Sequence, residues 1–309
     1  MHSPTVTQRV WLLVIGTGLA WGTGGLISKW LILEGIDPFA VTALPFTVAA
    51  ILASIETFRR SRPSRAALIT GAQLGLLNVA IPPLLFNLGY ETLPAGVVTL
   101  LLSVGPVLTA VAAKFSFRDE PLSLAKGAGL VLAIAGVAAL SADPSTIPAG
   151  GAVGVIYVLV GVFLASATAV WVRKASVKHG ALNLLAPELL IAAPVPILLA
   201  PLVGRSIVPA GGFSGAQWLA LVAIGVIGAY GGFRMILKAN QIGTTGQVSM
   251  VAYVLPVLGV LGGRILFDEP FTTGILVGGV LILSGIAVAG RASASTGVGG
   301  EAPGPLSPN

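Results

Sequence analysis

The 309-residue chain has no cysteine and only two histidines, His2 and His179. The first absence excludes disulfides, thiolate metal sites and thiol nucleophiles, and leaves the redox compartment open. The second argues against a His-rich metal centre, and no HExxH run occurs. Charge is scarce as well: Asp, Glu, Lys and Arg make up 9% of the residues, against 55% hydrophobic. That is too little charge to cover the surface of a water-soluble protein of this size. No Walker-type phosphate loop is present, so the chain does not hydrolyse ATP by itself. No motif calls for a cofactor.

What the chain has instead is apolar length, with 41 Gly and 21 Pro spread through it. Both residues are commoner in membrane helices than in soluble ones. A bilayer core about 30 Å thick needs roughly 20 apolar residues per helix. Ten such segments are predicted, at 10–33, 38–58, 66–89, 94–117, 123–141, 152–174, 181–203, 216–238, 243–266 and 272–290. The breaks carry turn chemistry, as in Glu34-Gly35-Ile36-Asp37-Pro38 and Pro209-Ala210-Gly211-Gly212. The expectation is an all-α membrane protein whose chemistry lies in the membrane or at its faces. Residues 1–9 read as a short polar tail rather than a cleaved signal, and 291–309 as a disordered tail rich in Gly, Ser and Pro.

The net charge of +6 would suit nucleic acid, but the basic residues sit in short gaps between apolar segments. They therefore speak for orientation in a membrane. With the N-terminus placed in the cytoplasm, only Lys29, Arg205 and Arg264 of the 17 Lys and Arg fall toward the outer ends. The cluster Arg59-Arg60-Ser61-Arg62 fixes this most firmly. Ten helices return the C-terminus to the cytoplasm, and the expected location is the plasma (inner) membrane. The partners expected are the lipid bilayer and a small-molecule substrate, with no nucleic acid.

The halves 10–141 and 152–290 are related. At an offset of 150, Gly96 matches Gly246, and Pro106-Val107-Leu108 matches Pro256-Val257-Leu258. At an offset of 149, Asp119-Glu120-Pro121 matches Asp268-Glu269-Pro270, and Gly136 matches Gly285. Five helices per half is an odd number, so the second copy enters the membrane inverted. Inverted repeats are the architecture of alternating-access transporters, with a site near the midplane between the halves.

The chain resembles the drug/metabolite transporter superfamily, in its ten-helix EamA-type branch. Ala20-Trp21-Gly22-Thr23 looks like that family's WG motif. Pro106, Asp119-Glu120-Pro121 and Ala135-Gly136-Val137 form a pattern that Pro256, Asp268-Glu269-Pro270 and Ser284-Gly285-Ile286 repeat. The resemblance implies a small-molecule transporter, often an exporter of amino acids or other metabolites. One departure is that many relatives carry an Arg in the second helix where this chain has Pro45, so no substrate role of that Arg transfers.

The residues themselves suggest a site. Glu188 lies about seven residues into its helix, roughly 10 Å deep at 1.5 Å per residue. A carboxylate there either couples transport to protons or binds a substrate amine, or is satisfied by Lys178 or water. Arg234 either binds a substrate carboxylate, pairs with Glu188, or snorkels to the headgroups. Lys29 reads as snorkelling outward. Asn78 sits near the middle of a helix containing Pro82 and Pro83, whose freed carbonyls need partners or a watery cavity. Trp21, Tyr230 and Tyr253 either line a pocket or pack in the core. Ser103 lies mid-helix in the best-matched repeat, where Pro106 and Pro256 are either flex points or static kinks. The acidic pairs before Pro121 and Pro270 read as helix-initiating groups. GxxxG spacings at Gly18–Gly22, Gly71–Gly75, Gly259–Gly263 and Gly274–Gly278 suit close helix packing, and the last is also a candidate homodimer face.

The leading reading is therefore a secondary transporter. An intramembrane enzyme acting on a lipid or prenyl substrate is the alternative, but it would need clustered carboxylates or histidines that the sequence lacks. A channel would need a continuous polar helix face, also lacking.

Overall fold

A computed structural model describes residues 5–116 and 124–295. The acidic run Asp119-Glu120-Pro121 and most of the C-terminal tail lie outside these residues. All regular structure among the described residues is helical. The helices are α1 (Val6–Leu33), α2 (Pro38–Arg60), α3 (Arg65–Thr92), α4 in two pieces (Ala95–Leu102 and Gly105–Ser116), α5 (Leu124–Ala142) and α6 (Gly151–His179). They continue with α7 (Ala181–Leu202), α8 (Gly215–Ile242), α9 in two pieces (Thr245–Ser249 and Val251–Phe267) and α10 (Thr273–Ser295). Eight are long and apolar enough to cross a bilayer, and α4 and α10 add shorter apolar stretches, Ala95–Ala110 and Thr273–Ala289.

Each expected segment corresponds to one of these helices, with ends moved by local chemistry. The first helix starts at Val6, inside the expected polar tail, because Thr5 and Gln8 form a reciprocal capping box. The last helix runs on to Ser295. Outward faces carry exposed Ile51, Phe163, Leu198, Leu219, Leu261 and Val280, side chains that a lipid surface accepts and water does not.

The duplication is plainer in the backbone than in the sequence. Helices α3 and α8 are both 28 residues long and share an offset of 150 at both ends, from Arg65 to Gly215 and from Thr92 to Ile242. Each contains a wide π-helical stretch, Gly75–Ala80 in α3 and Ile224–Gly231 in α8. In α3 this stretch directly precedes Pro82 and Pro83, whose missing N–H groups interrupt the ordinary ladder. In α8 the glycines at 225, 228, 231 and 232 relax the same region without proline.

The packing follows the same symmetry. Helix α1 packs on α8 and α9, and its mate α6 packs on α3 and α4. Helix α2 packs on α8 as α7 packs on α3, while α2–α7, α4–α9 and α5–α10 pair with their own mates. In the α5–α10 pair, Gly129 faces Gly285 and Gly136 faces Gly278. A Cβ on any of the four would lie 2.6–2.8 Å from the partner's carbonyl oxygen. The chain thus uses the absence of side chains to bring two backbones together. The other small-residue faces are also occupied within the chain. Gly18 and Gly22 meet Val254 and Leu258 of α9, Gly71 and Gly75 meet Pro187 and Glu188 of α7, and Gly259 meets Thr99 of α4.

Candidate functional site

A cavity of about 380 Å³ lies between the halves. Four helices from each half line it (α1–α4 and α6–α9), and among the described residues α5 and α10 contribute nothing. Most of the lining is apolar or aromatic, including Trp21, Phe46, Phe86 and Phe233. Trp21 and Phe233 stand 5.4 Å apart between ring centroids, and Phe233 and Phe46 stand 5.9 Å apart. These separations suit tilted aromatic packing.

Among the described residues, Glu188 is the only acidic one in the lining, and Arg173 and Tyr90 are the other ionisable ones. Glu188 is 1% exposed, and neither carboxylate oxygen has a hydrogen-bond partner, so Lys178 does not satisfy it. Its position is set by close packing of α7 on the π stretch of α3. A Cβ on Gly75 would lie 2.5 Å from the Glu188 carbonyl oxygen and 3.0 Å from its Cα. An unpartnered carboxylate at this depth is costly when charged. A proton or a cationic ligand removes that cost.

Other expected site residues divide. Trp21, Asn78, Pro82, Pro83 and Pro106 line the cavity with Glu188. The Asn78 Oδ1 accepts from the Thr168 hydroxyl at 3.0 Å, and Asn87 donates to the Thr42 hydroxyl at 2.9 Å. Ser103, Tyr230, Arg234, Tyr253 and Pro256 are not in the lining. Ser103 is fully buried and donates to the Ala252 carbonyl at 2.8 Å, tying α4 to α9. Tyr253 packs against the apolar cluster formed by α3–α6 and α10. Pro106 opens the second piece of α4, just after the break at Ser103-Val104, and Pro256 lies inside the second piece of α9.

Arg234 requires a correction, because it pairs with Glu56 of α2 and not with Glu188. Its Nε donates to Glu56 at 2.8 Å and 3.1 Å, and a terminal nitrogen donates at 2.8 Å. The Tyr230 hydroxyl donates to the same carboxylate at 2.6 Å. Glu56 falls within the apolar stretch 38–58 but two residues from its end, so depth does not single it out as it does Glu188.

Lys29 does not snorkel either. It is 8% exposed, and its Nζ donates to the carbonyls of Tyr90 at 2.8 Å and Leu93 at 2.9 Å. These are orphan acceptors at the C-terminal end of α3, where a cation is favoured. Glu269 completes the same turn from the other half. Its carboxylate accepts from the N–H groups of Ala95 at 2.6 Å and Gly96 at 3.2 Å. Glu269 therefore caps α4, where the sequence pattern pointed to initiation of the following helix. At the opposite end of the bundle, Arg173 donates to the carbonyl of Gly243, which lies 150 residues after Leu93. Lys29 and Arg173 thus do equivalent work in the two halves.

The two ends of the cavity differ. Near Lys29 the lining residues Ser28, Val41, Thr42, Asn87, Tyr90 and Thr99 are all buried. Near Arg173, Thr109, Ala169, Ile236, Val248 and Ser249 are half-buried, as is Arg173 itself, although Leu237 and Asn240 are buried. The sealed end is also cross-linked between halves. Arg205, in the α7–α8 loop, donates to Glu91 at 2.6 and 3.0 Å and to Asp37 at 3.3 Å. These carboxylates, Glu91 first, raise its already high pKa. Gly274 N–H donates to Asp143 at 2.9 Å, and the Thr146 and Thr272 hydroxyls bond each other.

Comparison with known proteins agrees with this architecture. The EamA-like transporter family matches the chain twice, over residues 8–142 and 152–291. An uncharacterized transporter of Archaeoglobus fulgidus is 23% identical over 284 residues, spanning 92% of this chain and 99% of that protein. The uncharacterized transporter YvbV of Bacillus subtilis is 26% identical over 288 residues, spanning 90% of each. One solved crystal structure overlays with a TM-score of 0.66 at 20% identity, covering 93% of this chain and 98% of the other. That overlay shows the fold alone.

Proposed function

Since the chain belongs to the EamA-like transporter family, we propose that it is a plasma-membrane secondary transporter that exports small organic metabolites by alternating access. The observation that carries this reading is a cavity between two related halves, sealed at one end, with an unpartnered carboxylate inside. With both termini in the cytoplasm, the half-buried end faces inward and the sealed end faces outward. The cavity then loads from the cytoplasm. Reversal exchanges the Lys29 and Glu269 closure at one end for closure near Arg173 at the other.

Glu188 is the coupling residue in this scheme. Charged and empty, it is unstable; bound to a proton or to a substrate amine, it is not. The two occupants exclude each other, which links outward substrate movement to inward proton movement. Among the described residues, Tyr90 and Arg173 are the other ionisable groups lining the cavity. Amine-bearing metabolites, the class that includes amino acids, are the substrates this site accommodates.

The test is proton movement in proteoliposomes holding the purified protein and a trapped pH dye. Addition of a transported amine is expected to move protons in the opposite direction, and Glu188→Gln is expected to abolish this. Proton movement that needs no substrate, or that survives in Glu188→Gln, would eliminate the coupling scheme.

A further inference from the structure

Acidic residues are unevenly placed along the bundle. Glu34, Asp37, Glu91, Asp143, Asp268 and Glu269 all lie at helix ends on the sealed side. Toward the opposite end, the described residues include only two, Glu56 and the cavity's Glu188. Glu56 stands where α2 of one half meets α8 of the other, and three side chains converge on it. Arg234 donates through Nε and one terminal nitrogen, both at 2.8 Å, and Tyr230 through its hydroxyl at 2.6 Å. Arg60 approaches the same carboxylate to 3.5 Å. One carboxylate neutralises only one of the two guanidiniums, so the cluster keeps a positive charge. The other terminal nitrogen of Arg234, Nη1, is left to a further acceptor. Arg59 follows Glu56 by three residues and Lys238 follows Arg234 by four, which puts each on the same side of its helix as the cluster. Arg59, Arg60, Arg234 and Lys238 are all exposed.

Beside this charge the surface turns apolar. The two helices touch at Gly225, where a Cβ would lie 2.8 Å from the Val48 Cβ. Exposed Ile51 and Ile55 on α2, with exposed Val226 and Ile227 on α8, run from the basic cluster toward the middle of the membrane. We propose that the groove between α2 and α8 binds an anionic phospholipid, whatever the cavity carries. The lipid phosphate accepts from the exposed guanidiniums, whose planar forks match its oxygens in pairs, and Lys238 adds a point charge. The acyl chains lie along the apolar strip. Basic pockets between transmembrane helices suit such headgroups. A soluble phosphate carries the charge but leaves the strip uncovered, and a zwitterionic lipid brings its own cation into the cluster. Because α2 and α8 belong to different halves, the bound lipid bridges them.

The test is native mass spectrometry of the full chain in detergent. It is titrated with phosphatidylglycerol, with phosphatidylcholine of the same acyl chains, and with inorganic phosphate as a competitor. Phosphatidylglycerol is expected to bind about tenfold or more tighter than phosphatidylcholine, and millimolar phosphate is expected not to displace it. Each basic residue near a charged lipid surface changes affinity roughly fivefold, so Arg59→Gln with Lys238→Gln should weaken phosphatidylglycerol about 25-fold. Arg65→Gln with Lys178→Gln removes the same charge at the same end outside the groove, and should change it less than threefold. Arg59→Gln alone, with a loss of about fivefold, decides the matter where the double variant does not fold. Equal binding of the two lipids overturns the proposal. So does an equal loss in both double variants, which would mean a diffuse basic surface, and so does displacement by phosphate, which would mean a soluble anion.

Discussion

Removing Glu269 should unseal the end of the cavity near Lys29. Its carboxylate holds two N–H groups at the start of α4, at 2.6 and 3.2 Å, from a turn that belongs to the other half. Bonds to a charged acceptor contribute roughly 1.5–3 kcal/mol each, and the second is long, so about 2–3 kcal/mol is at stake for the pair. If the bonds exist only while this end is closed, Glu269→Ala changes the ratio of sealed to unsealed forms by roughly 30- to 140-fold. The chain has no cysteine, so a single Val41→Cys supplies the sole thiol without background. Val41 is 1% exposed and lines the cavity near the sealed end. Its reaction rate with a membrane-impermeant maleimide, added from the side that the proposed orientation places at this end, reports opening directly. The rate should rise by a large part of that factor in Glu269→Ala, and by less in Glu269→Gln, which keeps one acceptor. An unchanged rate in a folded Glu269→Ala protein would refute the assignment of Glu269 to closure.

Other outcomes follow from the same structure. Gly136→Val should separate α5 from α10, since even a Cβ there meets the Gly278 carbonyl at 2.7 Å. Overpacking of this kind costs about 1–3 kcal/mol, read as a lower unfolding midpoint in detergent. Arg234→Ala should destabilise the protein by roughly 1–2 kcal/mol, because it leaves the Glu56 carboxylate, 9% exposed, with Tyr230 and Arg60 alone. The double variant Arg234→Ala with Glu56→Gln should recover part of that loss, and a larger loss would contradict the pairing. Asp143 has its carboxyl held down to about 2, first by the Ser145 hydroxyl and then by the Gly274 and Ser145 N–H groups. A depressed carboxyl stabilises the fold above its unfolded value and loses that effect as the pH falls through about 2. The melting temperature of Asp143→Asn should therefore lie below that of the unmodified protein near neutrality, with the gap narrowing from about pH 4 downward.

The number and kind of helices could be read from the chain because bilayer thickness sets a length and lipid excludes charge. Both conditions act on contiguous residues. The duplication was legible at Pro106 and Pro256, where identical residues persist, but not in α3 and α8. There the shared feature is a π-helical stretch, which proline creates in one copy and glycine permits in the other. Glu188 was legible because a lone carboxylate stands out in an apolar run. Glu56, two residues from the end of its stretch, does not stand out in that way, and depth in any case identifies a costly charge, not what it meets.

The sequence by itself thus determined the solvent, the helix count and the inverted duplication, all of which depend on composition and period along the chain. Only the tertiary structure decided which charges are spent and which are free. Lys29, Arg173, Arg234 and Glu269 are each bonded to groups on another helix or turn, and Glu188 is not. That partition depends on three-dimensional distances between helices far apart in sequence, which no local pattern encodes.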